Sequence, residues 1–117
     1  MGRTEDAIKE YQAVLKLKPD YVAARRALAD LLLKSHKPDA ALLQLREILK
    51  RTPRNTEINE QVGDLEKSLG HTGAALDAYQ AALQNAPSSK TRKRIQNKMK
   101  LQTGAATRSS RPATGTP

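Results

Sequence analysis

Two histidines and one pair of acids are the residues of this sequence best suited to acid–base or metal chemistry. His36 and His71 lie 35 residues apart, near predicted turns, and neither has a carboxylate pattern beside it. Glu60 and Asp64 are one helical turn apart, but two carboxylates on an exposed helix face are common. Neither spacing matches a catalytic or metal-binding motif. We therefore predict no catalytic residue, no cofactor and no metal ligand, and we expect a protein that is not an enzyme.

Other classes of function are excluded by residue types and motifs that the sequence lacks. It contains no cysteine, which excludes disulfides and thiolate metal sites, and it has no glycine-rich phosphate loop. Its apolar runs are far too short to span a membrane, and its amino terminus lacks the residue order of a secretory signal. We expect a soluble chain and, because no targeting signal specifies the compartment, a cytoplasmic one.

The positive charge of the chain is concentrated at its carboxyl-terminal end. The net charge is +9, yet residues 1–87 contain 13 Lys and Arg against 12 Asp and Glu. Residues 88–117 contain eight Lys and Arg and no acid. A local cluster of this kind implies a different partner from a uniform excess of charge.

A period of 34 residues organises the chain. Pro19, Pro53 and Pro87 are separated by 34 residues each, and each follows a stretch of helical pattern. Alignment on these prolines produces three further columns: Ala7, Ala41 and Ala75; Tyr11, Leu45 and Tyr79; Gly2, His36 and Gly70. Such self-similarity predicts a repeat protein, in which each repeat buries its apolar face against its neighbours.

The apolar residues within each repeat have helical spacing. Ile58, Val62 and Leu65 stand at i, i+4 and i+7, one stripe of a helix that Gly70 can end with a left-handed residue. Pro38 is compatible with the first turn of the preceding helix, where its missing N–H costs little. Six helices are predicted, at about 4–17, 21–35, 38–51, 56–69, 73–85 and 89–102.

The repeat resembles the tetratricopeptide repeat (TPR) family, whose pattern is Trp-x2-Leu-Gly-x2-Tyr, then Ala-x3-Phe, then Pro. The second repeat matches at Leu28, Ala29, Leu32, Ala41, Leu45 and Pro53, and the third at Val62, Gly63, Ala75, Tyr79 and Pro87. The Trp position holds Arg25 and Asn59, and the last Tyr position of the third repeat holds Glu66, which predicts looser packing on one face. The resemblance implies an all-α solenoid of helical hairpins, a right-handed superhelix that binds other proteins.

The predicted organisation is about 2.5 repeats followed by one solvating helix. Residues 1–87 form the TPR array, with a half repeat at 2–19 and full repeats at about 20–53 and 54–87. Residues 88–102 form a basic solvating helix, and residues 103–117, which lack large apolar side chains, are predicted to be disordered. The initial half repeat is typical of a fragment of a larger protein, and it favours self-association through the open end.

The concave face of such an array is predicted to bind a protein or peptide. The partner-binding residues are predicted from columns of positions 34 apart: Arg26, Asp30, Leu33, Glu57, Glu60, Asp64, Lys67, Arg94 and Lys98. An acidic centre on this face favours a ligand that carries Lys or Arg. Alternatively the charges satisfy one another, Glu60 with Arg26 and Arg94 and Asp64 with Lys98, each exposed pair contributing about 1 kcal/mol or less.

Three further functions follow from the resemblance and the charge. Some TPR proteins grip acidic chaperone tails with a clamp of Lys, Asn and Arg, but Asp30 and Ile95 stand at clamp positions here, and Asp64 would repel a carboxylate. The basic terminal helix either solvates the end of the array or binds nucleic acid or an anionic membrane electrostatically. Finally, the array could be an accessory domain of a larger enzyme.

Overall fold

The computed structural model describes the backbone of residues 2–114 and the side chains of residues 2–101. Its elements are α1 (Gly2–Leu17), α2 (Val22–Lys34), α3 (Pro38–Arg51), α4 (Thr56–Ser68), α5 (Thr72–Gln84) and α6 (Ser89–Thr114). The predicted all-α class is confirmed, since the described residues contain these helices and no strand. Within the same residues, no helix has the length and apolar character needed to cross a membrane.

The helices form two compact units, Met1–Pro53 and Arg54–Pro117, called here the N-terminal unit and the C-terminal unit. In the N-terminal unit α2 packs against both α1 and α3, and in the C-terminal unit α5 packs against both α4 and α6. Sequence-adjacent helices are therefore neighbours in space, as the short connections between them require.

The core of the N-terminal unit consists of aliphatic side chains on facing helical stripes. Buried residues come from all three helices: Ile8 and Leu15 of α1, Ala24, Leu28, Ala29 and Leu32 of α2, and Ala41, Leu42, Leu45 and Ile48 of α3. The stripe predicted for the third helix is buried as expected. Pro38 lies in the first turn of α3, where it removes no intrahelical hydrogen bond.

In the C-terminal unit the core is built around Tyr79, whose side chain is fully buried. Ala75 and Ala82 of α5 and Ile95 of α6 complete the same cluster. A methyl group added to Gly63 of α4 would lie 2.5 Å from Cε1 of Tyr79. Glycine is needed there because the tyrosine ring lies directly against the backbone of α4.

Two helices end in the same left-handed turn, one repeat apart. Gly70 has a φ of 82°, and its N–H donates to the carbonyl of Lys67 while that of His71 donates to the carbonyl of Glu66. His36 has a φ of 60°, and the N–H groups of His36 and Lys37 donate to residues 33 and 32 in the same way. Both turns have the hydrogen bonds of a Schellman motif, so the predicted left-handed residue is confirmed at Gly70 and is adopted by histidine at position 36.

The positions that depart from the TPR pattern are not loosely packed. Arg25 donates from Nη1 to Oε1 of Gln44 at 2.9 Å and from Nη2 to the carbonyl of Pro19 at 2.7 Å. Asn59 and Glu66 are 5% and 2% exposed. The prediction of looser packing was wrong because polar side chains fill these positions and satisfy their polar atoms with hydrogen bonds.

Helix α6 extends beyond its predicted end. Its helical backbone continues to Thr114, whereas the sequence predicted an end near residue 102 and disorder over 103–117. That prediction depended on the absence of large apolar residues, which are needed for tertiary packing but not for a helical backbone. Ala105 and Ala106 are strong helix formers, so the local sequence supports further turns. Residues 115–117 lie outside the described part of the chain.

Candidate functional site: the α4–α6 face

Glu60 is the most strongly bound charged group on the face shared by α4 and α6. Arg94 donates from Nε to Oε2 of Glu60 and from Nη2 to Oε1, both at 2.8 Å. The Glu60 side chain is only 10% exposed, whereas that of Arg94 is 50% exposed. This bidentate geometry places two parallel hydrogen bonds between charged groups, the strongest arrangement available to such a pair.

Lys98 joins this pair to the next turn of α4. Its Nζ donates to Oε2 of Glu60 at 2.8 Å and to both carboxylate oxygens of Asp64 at 3.0 Å. Asp64 also accepts a hydrogen bond from the hydroxyl of Tyr79 at 2.7 Å. A single polar network of Glu60, Asp64, Tyr79, Arg94 and Lys98 therefore links three helices of the C-terminal unit.

The network shifts the pKa values of its members in directions that favour the charged pairs. The hydrogen bonds from Arg94, against the opposing effect of burial, and those from Lys98 lower the pKa of Glu60 from 4.5 to about 2. The pKa of the Arg94 guanidinium is raised by its hydrogen bonds to Glu60. Burial opposes the charge of Lys98, but hydrogen bonds to Glu60 and Asp64 outweigh it and raise the pKa. Burial, together with the bond to Asp64, raises the pKa of the Tyr79 hydroxyl.

A polar cavity of about 410 Å³ adjoins this network. Its lining combines the first turns of α4 and α6 with the turn before α6: Thr56, Glu57, Glu60, Pro87, Thr91 and Arg94. Thr56 donates its hydroxyl proton to the carbonyl of Asn85 at 2.8 Å. Asn55 and Ser88 cap the two helices, accepting from the N–H groups of residues 58 and 91 at 3.0 and 3.2 Å. These bonds position the cavity walls through local helix capping.

The structure brings together four of the predicted groove residues and changes the charge expected of them. Glu60, Asp64, Arg94 and Lys98 all belong to the polar network, in which two acids meet two bases. The predicted acidic centre is therefore neutralised largely by the chain itself, and the pairs of Glu60 with Arg94 and Asp64 with Lys98 are present. Glu57 is exposed at the cavity.

The other predicted groove residues lie outside the network. Lys67 is exposed near the end of α4. Arg26, Asp30 and Leu33 are on α2 of the N-terminal unit, where Arg26 is half-buried and the other two are exposed. That these residues line one groove with α4 and α6 stays a prediction.

Sequence inspection missed a histidine–carboxylate pair in the C-terminal unit. Nδ1 of His71 lies 2.8 Å from Oε1 of Glu66, although the sequence suggested no carboxylate beside either histidine. The Schellman turn explains the pair, because it returns residue 71 to the last turn of α4 and bonds its N–H to the carbonyl of Glu66. The spacing of five residues across Gly70 was the available signal. Within the described residues, no three metal-binding side chains come together.

Comparison with known proteins places this arrangement in a family. The family model named Tetratricopeptide repeat matches residues 1–60. The chain belongs to the tetratricopeptide repeat family. A TPR relative in Bos taurus, DnaJ homolog subfamily C member 3, is 34% identical over 85 residues, which are 70% of this chain and 17% of that protein. The chain therefore spans only a small part of this relative's length.

Solved structures share the TPR fold over most of the chain. The crystal structure of MamA protein superposes with a TM-score of 0.77 at 22% identity, covering 90% of this chain and 56% of that one. The crystal structure of PcrH in complex with the chaperone binding region of PopD also has a TM-score of 0.77, at 16% identity, covering 90% and 82%. These likenesses establish the helical-repeat fold of the chain.

Proposed function

We propose that this chain is a protein-interaction scaffold that holds a peptide or a partner helix on the α4–α6 face, and that it performs no catalysis. The observation that carries the proposal is the cavity beside the polar network, whose walls come from two helix starts and one turn. Membership of the TPR family supports it. PcrH, a fold neighbour, is bound to a region of another protein in its crystal structure.

The charge of this face suits a ligand with basic or polar side chains. Glu57, Glu60 and Asp64 oppose only Arg94 and Lys98, so the five groups together carry one net negative charge. Because Asp64 and Glu60 are committed to the network, the ligand is proposed to meet Glu57 and the threonine hydroxyls of the cavity. A carboxylate-terminated peptide would instead face like charge, which disfavours the chaperone-tail mode of binding.

Peptide selection followed by mapping tests this proposal. Peptides displayed on phage are selected on the full chain, and amide chemical shifts are recorded with the best binder. We expect enrichment of Lys or Arg and shift changes concentrated in residues 56–60 and 87–94. Glu57→Arg should weaken binding at least about tenfold, since it reverses the charge at the cavity. The control Asp77→Arg makes the same charge change at an exposed position of α5. Shift changes confined to α3 or to the outer side of α5 would refute the assignment.

A second function, self-association through α1, is supported by a comparison between repeats. Ala7, Tyr11 and Val14 of α1 are half-buried. Their counterparts 34 and 68 residues later are at most 3% exposed: Ala41, Leu45, Ile48, Ala75, Tyr79 and Ala82. An apolar face that is fully covered in two repeats is thus partly open in the first. Sedimentation equilibrium should show a dimer that Tyr11→Asp dissociates, while Gln12→Asp, at an exposed neighbouring position, should not. A monomer at all concentrations would exclude self-association.

A further inference from the structure

The cations of α6 fall into two groups with different surroundings. Arg94 and Lys98 are bound to the acids of α4, as described above. Lys90, Lys93 and Lys100 are exposed, and no hydrogen bond or ion pair joins them to another described side chain. The structural role that accounts for the first group therefore does not account for the second.

The three unpaired lysines form a straight ridge. They stand with Asn97 at i, i+3, i+7 and i+10, the spacing of one helix face, and span about 15 Å along the axis. Ile95, which is fully buried against α5, lies on the opposite face of the same helix. The lysine ridge therefore projects directly away from the core of the C-terminal unit.

The ridge opposes the local stability of α6. The first turn of this helix contains no acid, and Lys90 lies in it beside the positive end of the helix dipole. Lys90 and Lys93 are also neighbours on the helix surface and repel each other. Residues that disfavour their own element without a compensating contact indicate a functional site.

We infer that the lysine ridge docks the protein on an anionic lipid surface. The positive ridge complements the diffuse negative charge of a membrane that contains anionic phospholipid. Lysine heads are strongly hydrated point charges, which suit such a surface, whereas bidentate contact with single phosphates favours arginine. Leu101, 67% exposed on the same side of the helix, provides an apolar contact for the interface. Nucleic acid is disfavoured because α6 has no aromatic residue on which a base could stack.

Binding of the full chain to vesicles tests this inference. The full chain is mixed with vesicles of phosphatidylcholine, with or without roughly 30% phosphatidylserine, and bound protein is measured by flotation. We expect binding only to the anionic vesicles, with a steep loss as salt rises from about 50 to about 300 mM. The triple variant Lys90→Gln, Lys93→Gln, Lys100→Gln should lower the partition coefficient on the order of 100-fold, since each lysine near such a surface contributes about fivefold.

A matched control separates the ridge from net charge. The variant Lys9→Gln, Lys16→Gln, Lys18→Gln removes three exposed lysines from the N-terminal unit and should retain most of the binding. Equal losses in both variants would overturn the inference, as would an absence of vesicle binding. Binding of duplex DNA that the ridge variant loses, without vesicle binding, would assign the ridge to nucleic acid and also overturn it.

Unfolding measurements provide a second readout. Because the ridge variant removes repulsion from α6, its urea midpoint should equal or exceed that of the wild type. A lower midpoint would show that the lysines stabilise the fold, and would overturn the argument that a ligand explains them.

Discussion

Replacing Glu60 by glutamine tests whether the polar network stabilises the C-terminal unit. Glu60→Gln keeps the size of the side chain and a hydrogen-bond acceptor but removes the negative charge between Arg94 and Lys98. The lowering of the pKa from 4.5 to about 2 corresponds to an upper limit of about 3.4 kcal/mol at neutral pH. Because Arg94 is half exposed and partly screened by water, we expect a loss of about 2 kcal/mol in the free energy of unfolding.

The pH dependence of this loss follows from the direction of the shift. The carboxyl of Glu60 has a lower pKa in the folded state than in the unfolded chain, so its contribution is complete above about pH 4.5. It is lost as the pH falls through about 2, where the folded protein also takes up the proton. The difference between wild type and Glu60→Gln should therefore fall by more than half between about pH 7 and about pH 3.

Urea unfolding followed by far-ultraviolet circular dichroism measures both quantities at the two pH values. Asp77→Asn, at an exposed position of α5 in the same unit, provides the matched control and should change stability by less than about 0.5 kcal/mol. The reasoning is refuted if Glu60→Gln costs no more than the control, or if its cost is the same at both pH values.

Three further substitutions test the packing and the helix ends, each by urea or thermal unfolding. Gly63→Ala should cost about 1–3 kcal/mol, because the new methyl group would lie 2.5 Å from the ring of Tyr79; Gly73→Ala, with no atom within 4 Å of the added methyl group, should not destabilise. His36→Gly should stabilise by about 1 kcal/mol, since it relieves a positive φ in a non-glycine residue, and a loss would show that the imidazole makes a compensating contact. Asn55→Ala should cost about 1 kcal/mol by removing the cap of α4, and Asn55→Ser should restore most of it; no difference between the two would exclude the capping role.

The polar network shows which part of the site could be predicted. Glu60 and Arg94 are 34 residues apart, so the repeat alone placed them in one column and Asp64 with Lys98 in the next. The sequence left open whether these acids meet a ligand or the bases of α6. The answer depends on side-chain conformation and helix separation, which brought both bases within 3.0 Å of the acids. The bond from Tyr79 to Asp64 was not predicted, since it joins positions in different columns.

The sequence by itself determined the helices, their approximate ends and the repeat, because all three depend on short-range patterns. Period 34, helical spacing of apolar residues and the turn chemistry of Pro38 and Gly70 are local properties that each repeat states again. Only the tertiary structure decided which polar residues are buried. Glu66 and Asn59 occupy aromatic positions of the family pattern yet are almost inaccessible, because neighbouring groups supply hydrogen bonds that the sequence does not reveal. The tertiary structure likewise separated the paired cations of α6 from the exposed ones, since whether a lysine finds an acid depends on the helix packed against its face.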